Sequence, residues 1–185
     1  MKGIVFVELL SMAEALVGEE AVDTVIEGLD LPSGGAYTSV GNYPCSELMA
    51  IVGSFSEATG HSVAVLQNAF GKWIFQRFSE GYEEFFCGKA DAFHMLSSIE
   101  NEVHVEVRKI YPEAELPTFD TTQRDANTLC MTYASERPLV DFCQGMIEAC
   151  LEHFNQSAEI VKDPFMADGK YGATFTIRLA AQQAA

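Results

Sequence analysis

The stretch PEAELPTFD, Pro112 to Asp120, divides this 185-residue chain into two kinds of pattern. Upstream, apolar residues recur three and four positions apart, the spacing of one helix face. Around this stretch the helix signal stops. Downstream, short alternating runs bounded by turn residues read as strands. Helices are expected over about Ile4 to Gly18, where Val5, Leu9, Met12 and Leu16 keep helical spacing and Gly18 offers a stop. Others are expected over about Glu20 to Gly28 and over Ser46 to Thr59, ended by Gly60. Ser62 caps a long apolar helix through Phe70, Trp73, Ile74 and Phe78. One or two turns follow over Tyr82 to Cys87, and a helix spans about Asp91 to Tyr111. Leu31 to Pro44, with PSGG, GN and YP, reads as loop or short irregular strand. Gly71, inside a helix, costs roughly 1 kcal/mol against Ala, so a packing reason is expected for it.

Beyond the dividing stretch, Thr118 to Gln123 and Thr128 to Ser135 are expected as strands joined by a turn at Asp125-Ala126-Asn127. Pro138 opens a helix to about Phe154. Ala158 to Asp163 and Tyr171 to Leu179 read as further strands, with DGKYG as their turn, and the tail AAQQAA as frayed. The fold class is α+β: a helical N-terminal part, then a small antiparallel sheet with a packed helix. There is no internal repeat or low-complexity segment.

Hydrophobic residues make up 48% and charged residues 21%, a globular composition. Thirteen Phe, six Tyr and seven Met can fill a core or line an apolar ligand pocket. The net charge of −16 repels phosphate backbones and anionic leaflets, which disfavours nucleic acid and membrane as partners. A basic partner protein is compatible with it, as is a plain solubilising role. Five cysteines, Cys45, Cys87, Cys130, Cys143 and Cys150, are odd in number and lack a C-x-x-C pair, which suits reduced thiols in a cytoplasm. The start MKGIVFVELL is interrupted by Glu8 and does not read as a signal peptide, and no stretch approaches a membrane span.

Two features could carry chemistry. Among four histidines, His61 and His94 read as solvated and His153 flanks an apolar face without an obvious partner. His104 differs. Its helix carries a stripe of Ala92, Leu96, Ile99, Val103, Val107 and Ile110, and His104 falls one step round, on a row with Phe93 and Tyr111. A neutral imidazole there can ligate a metal through one nitrogen while the other donates to a carbonyl or carboxylate. By itself, such a boundary histidine more often makes one hydrogen bond and nothing else. The second feature is Tyr133-Ala-Ser135-Glu-Arg137. On a strand its phenol, hydroxyl and guanidinium share one face and form a compact site for a carboxylate or phosphate. A solvated strand face with one ion pair explains it equally well.

The run IENEVHVEVRKIYPEAELP, Ile99 to Pro117, followed by YASER, Tyr133 to Arg137, resembles the H-NOX family, the haem nitric oxide/oxygen binding domains. They occur as stand-alone bacterial proteins and as sensor domains of soluble guanylate cyclases. The likeness runs from MKGI to the final strand. It implies one domain, with a helical subdomain over about residues 1–62 and the haem-ligating helices and C-terminal α/β subdomain over about 63–185. Haem b, iron protoporphyrin IX, would lie between the two. The resemblance also implies that His104 is the iron ligand, that Tyr133, Ser135 and Arg137 bind the propionates, and that Pro117 presses on the porphyrin. Val5, Leu9, Ile74, Phe78, Phe142 and Met146 match positions lining the distal pocket.

Phe142 stands where oxygen-binding members carry a distal tyrosine. A pocket without that donor favours NO and discriminates against O₂, provided the Trp73 N–H points elsewhere. A cysteine-rich zinc site found in some relatives would map to Val140, Phe142 and Phe165 and is absent. Cys143 and Cys150 then read as buried structural thiols. What the resemblance implies is a cytoplasmic sensor, not an enzyme. NO at ferrous haem would break or weaken the iron–His104 bond and thereby signal to a histidine kinase or cyclic-di-nucleotide enzyme. A cysteine- or metal-based redox sensor is the alternative. A haem enzyme would need distal acid–base groups that the mapped positions lack.

Overall fold

The computed structural model describes residues 1–180. Helices α1 (Gly3–Val17), α2 (Glu19–Glu27), α3 (Cys45–Thr59) and α4 (Val63–Gly81) build the first half. Gly18 separates the first two at φ 87, a conformation that glycine adopts without a Cβ penalty. Ser62 caps α4 by accepting the Val65 N–H at 3.3 Å. The loop before α3 is fixed by a buried carboxylate: one oxygen of Glu47 accepts the Tyr37 hydroxyl at 2.8 Å and the Ser33 hydroxyl. Lys2 bridges Asn42, so the chain start is pinned to that loop.

A short 3₁₀ turn (Glu83–Phe85) follows. The expected single helix over Asp91 to Tyr111 is instead three pieces: α5 (Ala92–Ser98), a π-helical turn (Ile99–Val103) and α6 (His104–Ile110). The His104 amide bonds to the Ile99 carbonyl, one residue further back than an α-helix allows. That extra residue advances everything after it by about 100° around the axis. The apolar stripe therefore ends at Val103. Ile110 is 65% exposed, while His104, expected at the core's edge, is buried.

Strands β1 (Thr118–Asp125), β2 (Thr128–Ser135), β3 (Ala158–Ala167) and β4 (Lys170–Leu179) form an antiparallel sheet in the order β1-β2-β4-β3. β3 runs beyond the expected Asp163 and includes Pro164, which is tolerated because β3 is an edge strand. The β3–β4 turn is Asp168-Gly169, both at positive φ, the two-residue hairpin geometry that Asp-Gly favours. Helix α7 (Val140–His153) starts two residues later than Pro138, whose carbonyl accepts Gln67 Nε2 at 3.0 Å. The expectation of a frayed tail falls outside the described residues except at Ala180, whose N–H bonds to Ser157.

There are two cores. Leu129, Met131 and Tyr133 of β2 pair rung for rung with Ile177, Phe175 and Ala173 of β4, and these pack with Ile147, Cys150 and Leu151 of α7. The other joins Phe6, Leu9 and Met12 of α1 to Leu48, Ile51 and Phe55 of α3 and Phe70 and Ile74 of α4. Helices α4 and α7 contribute to both. They cross nearly backbone to backbone: a Cβ on Gly71 would meet the Phe142 carbonyl oxygen at 2.1 Å, and one on Gly145 the Asn68 carbonyl oxygen at 2.0 Å. This is the packing reason expected for Gly71.

Alanine at Gly71 or Gly145 must push α4 and α7 apart, so each variant should lose about 1–3 kcal/mol, read as a lower urea midpoint. A Cβ on Gly53 of α3 would have nothing within 4 Å. Gly53→Ala should instead gain about 0.4–1 kcal/mol by restricting the unfolded chain.

Candidate functional site

The π turn delivers His104 to the start of α6, where its ring is tilted 5.5 Å from Phe119 of β1. Phe119 in turn lies 5.6 Å from Tyr133, its partner across the β1–β2 ladder. His104 is 8% exposed, and burial holds its imidazole below the ordinary histidine range, against the pull of Glu100. His104 Nδ1 is 3.0 Å from Glu100 Oε2.

Glu100 also receives the Phe119 backbone N–H at 3.2 Å and Arg108 Nη2 at 2.9 Å. Burial alone would raise this carboxyl. The hydrogen bonds from Arg108, His104 and Phe119 outweigh burial and hold it below the usual carboxylate range. An ionised carboxylate can only accept, so the shared proton belongs to Nδ1. The lone pair is then on Nε2, which has no hydrogen-bond partner among the described residues. A neutral imidazole with one nitrogen anchored and the other free is the form that binds a metal ion.

Tyr133 and Ser135 are buried on the inner face of β2, as period-two alternation requires. Burial raises the Tyr133 phenol far above its ordinary value, so it is a neutral donor. Arg137 departs from the expected strand geometry, because β2 ends at Ser135. The chain bends there, the Arg137 N–H donating to Ser135 Oγ at 3.1 Å. Its Nη2 donates to Glu115 Oε2 at 2.6 Å. The arginine side chain is 14% exposed and the glutamate 74%, so an outlying carboxylate holds a mostly buried fork. The charge of Arg137 also acts on Cys45 at the start of α3, against the burial that raises that thiol. The Arg137 guanidinium thus lies near the start of α3. Pro117 is half-buried, directly before β1.

Val5, Leu9, Ile74, Phe78, Phe142 and Met146 come together in the α1–α3–α4 core, with Leu9 and Ile74 fully buried and the other four partly so. Phe142 packs on Phe70 at 5.2 Å. Trp73 Nε1 donates to Glu8 Oε2 at 2.9 Å, and Arg77 Nε reaches the same oxygen at 3.3 Å while its guanidinium lies over the indole. The one indole N–H of the chain is therefore committed to a carboxylate.

His61 and His94 are exposed, as expected. His153 is not partnerless: its ring meets Phe75, Phe86 and Phe154 at 5.9, 5.1 and 5.0 Å. Cys143 and Cys150 are buried, and burial raises both thiols, Cys150 to about 12. Among the described residues no group of three His, Cys, Asp or Glu side chains is arranged to hold a metal ion. Glu100 escapes the sequence reading. Its position one helical turn before His104 was the available signal, but a π turn that buries the pair is not encoded in that spacing.

The chain matches the family model described as Haem-NO-binding (HNOB) over residues 2–162. No curated protein matches it. Among solved structures, the Fe(II) unliganded H-NOX protein from K. algicida is 39% identical, covering 100% of each chain with a TM-score of 0.92. The IWP-051-bound H-NOX from Shewanella woodyi in the Fe(II)CO state is 37% identical over 100% of this chain and 97% of that one, with a TM-score of 0.83. The S. oneidensis H-NOX protein in the Fe(II)NO state is 27% identical over 97% and 99%, with a TM-score of 0.87. With its helical first half, its four-stranded sheet and this match over most of its length, the chain belongs to the haem-NO-binding, or H-NOX, family of haem-based gas sensors.

Proposed function

We propose that this chain is a nitric oxide sensor in which His104 Nε2 would hold the iron of haem b. Bound haem would supply a ferrous iron with one open coordination position for a diatomic gas. The observation that carries the reading is the state of His104: buried, neutral, anchored through Nδ1 to an ionised Glu100, with Nε2 free. The donor chemistry fits the rest of the group. Tyr133, Ser135 and Arg137 would take the propionates, and the guanidinium that would do so already grips a carboxylate, that of Glu115. Pro117 would press on the porphyrin.

Val5, Leu9, Ile74, Phe78, Phe142 and Met146 would wall the gas side. Bound O₂ accumulates negative charge and needs a donor there, whereas NO depends on one far less. None of these six side chains has an N–H or O–H, and Trp73 spends its own on Glu8. The wall therefore supports NO binding with weak or no O₂ binding. It also offers no acid or base for turnover, which supports a sensor over a haem enzyme.

In this reading the moving part is His104 itself. With Nε2 released, the ring would be held by Glu100 and by its packing on Phe119, at the end of a π turn, a helix type common at functional sites. The partner is a histidine kinase or cyclic-di-nucleotide enzyme in the cytoplasm, in keeping with the resemblance and with reduced cysteines. No helix among the described residues is long and apolar enough to cross a membrane. The net charge of −16 would steer the protein to a basic patch, an attraction that added salt weakens.

The visible spectrum of the reduced protein tests this directly. It should be five-coordinate, unchanged under air, and converted by NO to a five-coordinate nitrosyl. His104→Ala should lose haem or need added imidazole to retain it; a wild-type spectrum in that variant overturns the assignment. Phe142→Tyr places a donor in the apolar wall and should create an oxygen complex absent from the parent. Trp73→Phe should leave the response to O₂ unchanged and cost ~1–2 kcal/mol of stability through the lost bond to Glu8.

A further inference from the structure

The Glu100 carboxylate collects donors from three elements. Oε2 takes His104 Nδ1 from the head of α6 and the Phe119 amide from β1; Oε1 takes Arg108 from the far end of α6. Residues four apart face each other on any helix, so the Glu100–His104 pair alone would be an ordinary surface contact. Two observations set it apart: the histidine is buried, and the oxygen that receives it is also claimed by a backbone amide of another element.

A carboxylate that accepts an imidazole N–H pushes electron density to the opposite ring nitrogen and makes it the stronger ligand. Every further donor to that carboxylate withdraws some of this push. Arg108, which carries full positive charge, withdraws most. We propose that Glu100 is the positioning residue for His104: it fixes the Nδ1–H tautomer and strengthens Nε2, while Arg108 and the Phe119 amide temper its carboxylate and keep the tether breakable. The inference rests on His104 being the iron ligand. It goes further in giving Glu100 and Arg108 opposite effects on the same bond.

That opposition is the test. Glu100→Gln keeps an oxygen for Nδ1 and should fold; Arg108→Met leaves the carboxylate in place, tempered only by the Phe119 amide. In the haem-loaded ferrous protein, resonance Raman spectroscopy should show the iron–histidine stretch moving down in Glu100→Gln and up in Arg108→Met. The double variant should follow Glu100→Gln, because without the carboxylate the arginine has nothing to temper. Transfer of haem to an acceptor should be about 10–100-fold faster from Glu100→Gln than from the parent. In haem-free protein, ¹⁵N NMR of the His104 ring should report the Nδ1–H tautomer for the parent and a tautomer mixture for Glu100→Gln. A parent protein with no iron–histidine band, or a band that survives His104→Ala, would sink the ligand assignment itself. A band that is present but stays put in both single variants, or shifts the same way in both, overturns the role of Glu100 alone and leaves it a structural helix pair.

Discussion

The close crossing of α4 and α7 is the constraint on which everything else hangs. Gly71 and Gly145 let each helix rest on a carbonyl of the other, at Phe142 and Asn68. At that separation the pair is thin enough to present one face to each core. Ile74 and Phe70 point to the helical core while the adjacent Phe75 belongs to the sheet core; on α7, Phe142 and Met146 serve the first, Cys143 and Ile147 the second. A side chain at either glycine would widen the crossing and displace residues in both cores at once. The six side chains proposed to wall the gas side include two from α4 and two from α7, so that wall inherits its geometry from the crossing.

The second constraint is the π turn. Without it, His104 would stay one step round from the apolar stripe, at the core's edge, as its sequence spacing predicts. One extra residue in the turn keeps Val103 against the sheet core, exchanges Val107 and Ile110 for His104 on the inward side, and takes Glu100 to β1. The exchange costs apolar contact, since Val107 is only half-buried and Ile110 is exposed. A fold that gives up hydrophobic burial to seat an imidazole retains it for a polar purpose, here a nitrogen with a free lone pair.

Most of the fold was legible because its signals are local. Ser62 and Gly18 bound their helices where capping chemistry puts them, and β2 has the limits its alternation predicts. The misreadings share one cause: each depended on a partner distant in sequence. The π turn answers to β1, and Pro138 keeps its carbonyl outside α7 for Gln67 of α4. β3 outruns its expected end because β4 supplies a ladder past Pro164. At the site, the residue types at His104, Tyr133, Ser135 and Arg137 were readable, and the geometry was not. Alternation brought Tyr133 and Ser135 inward correctly, but Arg137 arrives by a bend closed on Ser135 Oγ, and Glu100 was indistinguishable from the many glutamates around it.

The two halves of the site divide its chemistry between them. The helical core offers carbon and sulfur: valine, leucine, isoleucine, phenylalanine and methionine, with the nearby indole N–H drawn off to Glu8. The sheet side offers nitrogen and oxygen: an imidazole, a phenol, a hydroxyl and a guanidinium, each already hydrogen-bonded or neutralised in place. If the site works as proposed, such segregation would let selectivity and tethering vary separately. On the proposed reading, a substitution among the apolar residues would change which gas is favoured and leave the Glu100–His104–Arg108 balance alone. A substitution in that balance would change how firmly the imidazole binds and leave the wall apolar. On that reading the protein would combine a tether weak enough to yield with a pocket that admits few ligands able to break it.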